Sequence, residues 1–175
     1  QGNGAQEEAD KWLTPPPVTK QKKKKPTNTE DVLPPNFSNL SVAGSDETGT
    51  GDYFGPITVA AVYVPSDKIE LLRELDVRDS KELTDAYMQK IAPLLMQALD
   101  YSLLVLRNDK YNELQAKGYS QGKMKAMLHN QALYKLLEKI APAVPEHILI
   151  DQFAIRKTYY NHLKGQPNIV EEGVL

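Results

Sequence analysis

Residues 40–64 read LSVAGSDETGTGDYFGPITVAAVYV. The stretch opens on a short, partly apolar run, Leu40 to Ser45, that meets two adjacent carboxylates, Asp46 and Glu47. It closes on Ile57 to Val64, nearly all apolar and rich in β-branched side chains, the pattern of a buried strand. Between the two, Tyr53, Gly55 and Pro56 signal a turn. A hairpin is expected.

Working outward, Ile69 to Leu75 reads as a short helix. Thr84 to Leu99 reads as a longer one, because Tyr87, Ile91, Leu94, Leu95 and Ala98 recur at helical spacing and Thr84 suits the N-cap. Tyr101 to Leu106 is a strand. Asn108 to Ala116 is a helix ended by Gly118. Gln121 to Ile140 is a long helix that stops before Pro142 and Pro145. His147 to Ile150 is a strand that delivers Asp151 at its end. Ile155 to Leu163 reads as helical, and Ile169 to Leu175 as the start of another strand. Early strands in a hairpin system, followed by a strand reached through helices, predict an α/β domain with a mixed sheet. There is no internal repeat.

Residues 1–37 differ from the rest. They hold Pro15–Pro17, Lys22–Lys25, Pro26, Pro34 and Pro35 with few apolar residues, so they cannot bury enough surface to offset their ordering entropy. They read as a linker, with Ala9 to Leu13 as the end of a helix from something upstream. The Lys22–Lys25 run can be a solvated linker or an electrostatic aid to nucleic-acid binding; the linker reading is adopted. Residues 38–175 are long enough to form a core of their own.

The 175 residues are 41% hydrophobic and 25% charged, an ordinary globular composition. A net charge of −2 gives no sign of a globally basic nucleic-acid binder, but a local basic face remains compatible with it. With no cysteine there are no disulfides and no thiolate-ligated zinc or iron–sulfur sites. No apolar run approaches the roughly 20 residues needed to span a bilayer, and Gln1 to Asp10 lacks a signal-peptide core. A cytoplasmic, monomeric protein is expected.

Adjacent carboxylates repel unless a cation compensates them. Neighbours on an extended strand point to opposite faces, so Asp46 and Glu47 can share a metal only if the chain bends there. Gly49 and Gly51 make such a bend easy. A surface turn of small polar residues is the plainer alternative. Against it stands Asp151, which ends a second strand after Ile148, Leu149 and Ile150. Carboxylates at the ends of neighbouring strands suit Mg²⁺ or Mn²⁺, and two such ions about 4 Å apart can serve phosphodiester hydrolysis. The backbone N–H groups of Gly49, Thr50 and Gly51 can form an anion nest and approach a sugar–phosphate closely, reading a 2′-hydroxyl.

The string Gly44-Ser45-Asp46-Glu47-Thr48-Gly49-Thr50-Gly51-Asp52-Tyr53-Phe54-Gly55-Pro56 resembles the opening motif of bacterial ribonuclease HIII, a type 2 ribonuclease H. The match continues at Asp79-Ser80-Lys81, His129-Asn130 and Ile150-Asp151-Gln152-Phe153, in the family's order, from about residue 38 onward. The resemblance implies a ribonuclease H-like fold, a mixed sheet flanked by helices. It also implies endonucleolytic cleavage of RNA in RNA/DNA hybrids, leaving 5′-phosphate and 3′-hydroxyl ends. Asp46, Glu47 and Asp151 match three of four metal-binding acidic positions. Gly49, Thr50 and Gly51 match the motif that reads ribose 2′-hydroxyls, Ser80 and Lys81 a segment near the substrate backbone, and Asn130 a further substrate contact. The family's N-terminal substrate-binding domain would remain only as a tail up to about Leu13. Its fourth acidic ligand lies beyond the segment matched by Ile169 to Leu175, which implies a chain short at both ends. Glu171 and Glu172 read as solvated strand residues rather than substitutes.

Other side chains carry two readings. His129, His147 and His162 can act as bases, but none sits in a nucleophile arrangement, and structural or surface roles are expected. Asp79 suits a turn cap as well as a substrate role. Tyr159 and Tyr160 can stack on bases, with packing as the expected role. Asp52 adjoins the motif. Three functions follow in order: a metal-dependent hybrid endoribonuclease, a hybrid-binding module without catalysis, and an interaction fragment with neither.

Overall fold

A computed structural model describes residues 36–52 and 54–165. The expectations for most of 1–37, for the Lys22–Lys25 run and for Ile169–Leu175 with Glu171 and Glu172 lie outside the described residues.

Strand β1 spans Val42–Thr48 and β2 Ile57–Val64; they pair antiparallel, as the hairpin reading requires, from Val42↔Val64 to Thr48↔Thr58. Helix α1 (Ile69–Glu74) and helix α2 (Asp85–Ala98) follow, the latter capped by the Thr84 hydroxyl, which accepts the Tyr87 N–H at 3.3 Å. Strand β3 (Asp100–Leu106) returns antiparallel to β2. Helix α3 (Asn108–Ala116) is closed by Gly118 at φ 84°, where a left-handed residue ends a helix at little cost. Helix α4 (Gln121–Ile140) begins on Ser120, whose hydroxyl accepts the Lys123 N–H. Strand β4 (His147–Ile150) then runs parallel to β1, and α5 (Arg156–Leu163) ends the described chain. The sheet order is β3-β2-β1-β4, a mixed sheet flanked by helices.

The core explains the register. Ala43, Val59 and Ala61 on one sheet face meet Ala132, Leu133, Leu136 and Ile140 of α4. The alanines leave room for the helix to lie close against the sheet. A one-residue slip of β1 would turn Ala43 and Ser45 outward, so burial of this face fixes which side chains of β1 look toward α4. The expected buried stripe on α2 is narrower than its spacing suggests: only Ile91 is buried, and Leu94 is exposed.

The start of β4 is tied to the start of β1. The Glu146 carboxylate accepts the Ser41 N–H at 2.7 Å and the Ser41 hydroxyl at 3.0 Å. The Glu146 N–H donates to the Ser41 carbonyl at 2.9 Å. These bonds set the parallel pair level before its ladder begins.

Candidate functional site

The acidic pair lies within β1, not on a bend. Asp46 and Glu47 remain in the β1–β2 ladder opposite Ala60 and Val59, and the chain turns only afterwards, at Gly49. This corrects the expectation that the chain kinks at the pair. Strand alternation therefore sends the two side chains to opposite faces. Asp46 is exposed, and its Oδ1 accepts the Glu47 N–H at 2.8 Å. Glu47 looks toward α4 on the same face as Ala43 and Ser45.

On that face Glu47 is held from two sides. Lys125 forms an ion pair with its Oε1, and His129 Nε2 lies 2.8 Å from its Oε2. His129 is fully buried, and its Nδ1 is 2.8 Å from the Ser45 hydroxyl. Burial pushes the imidazole pKa down, outweighing the pull of Glu47. A neutral ring satisfies both neighbours in one tautomer: Nε2–H donates to Glu47, and Nδ1 accepts from Ser45. Burial also raises the Glu47 carboxyl, but the hydrogen bonds and charges of Lys125 and His129 outweigh it and hold the group below the usual carboxylate range.

Asp151 follows directly after β4. Its predecessor Ile150 is level with Ser45 in the parallel register, so the next position on each strand is Asp46 and Asp151. Both are exposed. The loop after Asp151 folds back on the Glu47 cluster: the Phe153 N–H donates to the Asp151 carbonyl at 2.9 Å. The Phe153 ring stacks on His129 at 5.2 Å and carries the Lys125 ammonium 4.4 Å from its centroid.

These carboxylates are hard oxygen donors of the kind that hold Mg²⁺ or Mn²⁺. The strand ends bring Asp46 and Asp151 to one edge of the sheet. Glu47 has both oxygens engaged by Lys125 and His129. Among the described residues no three acidic or imidazole groups gather tightly enough for a cation. The donor chemistry fits a metal; the strand register puts Asp46 and Asp151 at neighbouring positions, with Glu47 turned to the opposite face.

The loop from 49 to 56 carries the glycine motif. Gly49 has φ 85°, and a Cβ there would sit 2.2 Å from the Pro56 carbonyl oxygen, so only glycine fits. The Asp52 N–H closes a turn onto the Gly49 carbonyl at 3.2 Å. Nothing lies within 4 Å of a Cβ built on Gly51. Beside this loop opens a cleft of about 360 Å³, lined by Gly49 to Asp52 together with Asn108, Tyr111, Asn112 and Gln121 among others.

The other candidates are scattered. Ser80 and Lys81 occupy an exposed 3-10 turn, Ser80–Glu82, capped by the Asp79 carboxylate, which accepts the Lys81 N–H at 3.0 Å. Asp79 thus caps a turn. Asn130 is 4% exposed, on the packed side of α4. Tyr159 is in the core beside Phe153 and Leu163. His147 faces the Phe37 ring. Asp52 packs its carboxylate against Gly55.

Lys125, Gln121 and Asn108 escape the sequence reading. Lys125 does leave a signal: it stands one turn before His129 on the stripe continued by Leu133, Leu136 and Ile140, a charge where spacing calls for an apolar side chain. The two amides leave none, since their partners are loop carbonyls.

The family model described as Ribonuclease HII matches residues 43–172. Ribonuclease HIII of Lysinibacillus sphaericus is 61% identical over 99% of this chain and 56% of its own length. Ribonuclease HIII of Bacillus subtilis is 51% identical over 98% of this chain and 55% of its own length. The chain spans about half the length of these relatives. Among solved structures, Bst-RNase HIII in complex with Mn²⁺ superposes with a TM-score of 0.74 at 42% identity, over 98% of this chain and 55% of that one. Ribonuclease H2 from Pyrococcus horikoshii gives 0.57 at 25% identity, over 74% and 60%.

Proposed function

The chain belongs to the ribonuclease HII family, and from that premise we propose that it forms part of a divalent-metal endonuclease that cuts RNA paired to DNA. The observation that carries the reading is the register of β1 and β4, which sets Asp46 and Asp151 side by side at one sheet edge, next to a glycine loop. Residues 38–175 are the ribonuclease H-like domain in this reading, and 1–37 its linker. The relative Bst-RNase HIII binds Mn²⁺, which supports Mn²⁺ or Mg²⁺ here. Such a cation, held by Asp46 and Asp151, would polarise the phosphodiester and acidify a water, leaving 5′-phosphate and 3′-hydroxyl ends.

This chain's own residues do the rest. Ser45, His129 and Lys125 hold Glu47 ionised beside the site. The open side of Gly51 lets a sugar–phosphate come against the backbone. Among the described residues nothing accepts the N–H of Thr50 or Gly51, so both are donors for a 2′-hydroxyl or phosphate, which favours an RNA strand over DNA. Ser80 and Lys81 keep their proposed substrate roles, with Lys81 the exposed cation, whereas burial of Asn130 on α4 disfavours direct substrate contact. The proposed setting is the cytosol, as a monomer; no described helix is long and apolar enough to cross a membrane.

The test is hydrolysis of a labelled RNA/DNA hybrid in Mn²⁺ or Mg²⁺. Asp151→Asn should remove cleavage while leaving the fold intact by circular dichroism; undiminished cleavage would sink the assignment. A second reading, hybrid binding without cleavage by these 175 residues, draws on Glu47 being engaged elsewhere. Tight hybrid binding with no metal-dependent product would select it.

A further inference from the structure

The loop between β1 and β2 runs from Gly49 to Pro56, and its own backbone provides one described hydrogen bond, Asp52 N–H to the Gly49 carbonyl. Two side-chain amides from different helices reach it. Gln121, the first residue of α4, donates from Nε2 to the Thr50 carbonyl at 3.3 Å. Asn108, the first residue of α3, donates from Nδ2 to the Phe54 carbonyl at 2.9 Å. The two partners are 71 and 54 positions away in sequence, so these bonds exist only once the domain has folded.

The Gln121 bond fixes a direction. In a trans peptide the carbonyl and the following N–H lie in one plane and point opposite ways. Holding the Thr50 carbonyl toward α4 therefore aims the Gly51 N–H away from α4. Glycine at position 51 makes rotation of that peptide easy. A rotated peptide would present a carbonyl in place of the donor, and a carbonyl repels a phosphate oxygen. The glycine that grants access thus also creates a way to lose the donor, and the amide opposes that loss.

We propose that Gln121, with Asn108 as its counterpart at the far end of the loop, is a positioning residue that keeps the Gly51 N–H facing the substrate and so sets the preference for a ribose-bearing strand. The proposal rests on the hybrid-binding reading given above. Neither residue touches the acidic side chains, and neither is needed to hold them.

The experiment uses the 175-residue chain with Gln121→Met and, separately, Asn108→Leu, each close in size to the original but without a donor. Two quantities are read: exchange with solvent of the Asp52 amide, the loop's hydrogen-bonded N–H, and affinity for an RNA/DNA hybrid, a 2′-O-methyl-RNA/DNA hybrid and a DNA duplex of one sequence. Faster exchange, with a threefold to tenfold fall in the hybrid-over-DNA ratio (about one hydrogen bond) and an unchanged melting temperature, is the expected result. The 2′-O-methyl arm separates sources: a variant that weakens all three duplexes equally has lost a phosphate contact, which overturns the ribose claim. Unchanged exchange in both variants overturns the clamp. Faster exchange with an unchanged ratio overturns its role in specificity. If the unmodified chain binds all three duplexes alike, the hybrid-binding reading fails, and the clamp is then decided by exchange alone.

Discussion

Gly49 and Gly51 stand two positions apart under opposite constraints. At Gly49 the backbone is left-handed and a Cβ would meet backbone atoms of Pro56 at 2.2 Å. The left-handed conformation alone costs a non-glycine residue about 1–2 kcal/mol, and the clash adds to it because a carbonyl cannot swing away like a side chain. Gly49→Ala should therefore destabilise the domain by more than that amount in urea unfolding, whatever the ligand. At Gly51 a Cβ meets nothing. Gly51→Ala should unfold at the same urea concentration as the parent and yet bind an RNA/DNA hybrid about tenfold more weakly, because the new methyl group occupies the side from which a backbone would approach. An equal loss of stability in both variants would show that Gly51 serves only the fold. The motif alone shows that glycines are needed here. Which of them serves the fold becomes visible only when Pro56 is seen lying across Gly49.

At the scale of elements, Ile57–Val64, Gln121–Ile140 and His147–Ile150 are legible to the residue, since a continuous β-branched run, a long apolar stripe ended before proline, and a four-residue apolar burst each have one natural reading. The end of β1 is not legible in that way. Asp46–Glu47 before glycines suggests a bend, and nothing local shows that β2 continues to pair with Thr48. Nor does the sequence show that Glu47 has a lysine and a histidine waiting on α4, about 80 positions later. The level of β4 against β1 is equally non-local and rests on Glu146. Its carboxylate is held below the usual carboxylate range by the Ser41 N–H and then the Ser41 hydroxyl. A carboxylate with a lowered folded pKa contributes stability that is fully present above its unfolded pKa and is lost as pH falls through the folded value. Glu146→Ala should therefore be less stable than the parent at neutral pH, and the gap should close as the pH drops below the ordinary carboxylate range. Denaturant midpoints measured from pH 7 to pH 3 decide this, and a gap that stays constant with pH would show that the Glu146–Ser41 bonds do not depend on the charge.

Across the whole domain, the candidate site is a property of the sheet's edge and not of any one segment. Asp46 arrives on a strand paired early in the chain, Asp151 after one that follows the long helix α4, and they come to neighbouring positions because burial of Ala43 against α4 and the Ser41–Glu146 bonds fix one register. A cation shared by both would bind the folded chain and not the unfolded one, where the two aspartates stand 105 positions apart (151 − 46). Binding to the folded state alone stabilises it by RT ln(1 + [L]/Kd), about 1.4 kcal/mol at ten times Kd. In a domain of this size that corresponds to a rise of about 3–6 °C in melting temperature. Mn²⁺ should thus raise the melting temperature of this chain by that amount, and chelation should reverse it. Asp46→Asn and Asp151→Asn should each abolish most of the rise, since either change leaves a single carboxylate at the edge. Lys125→Met tests the third carboxylate: if Glu47 joins the cation only when released, this variant should bind Mn²⁺ more tightly and show the larger shift. If the rise is the same in the parent and in both aspartate variants, the cation binds elsewhere on the surface, and the paired strand ends are not its site.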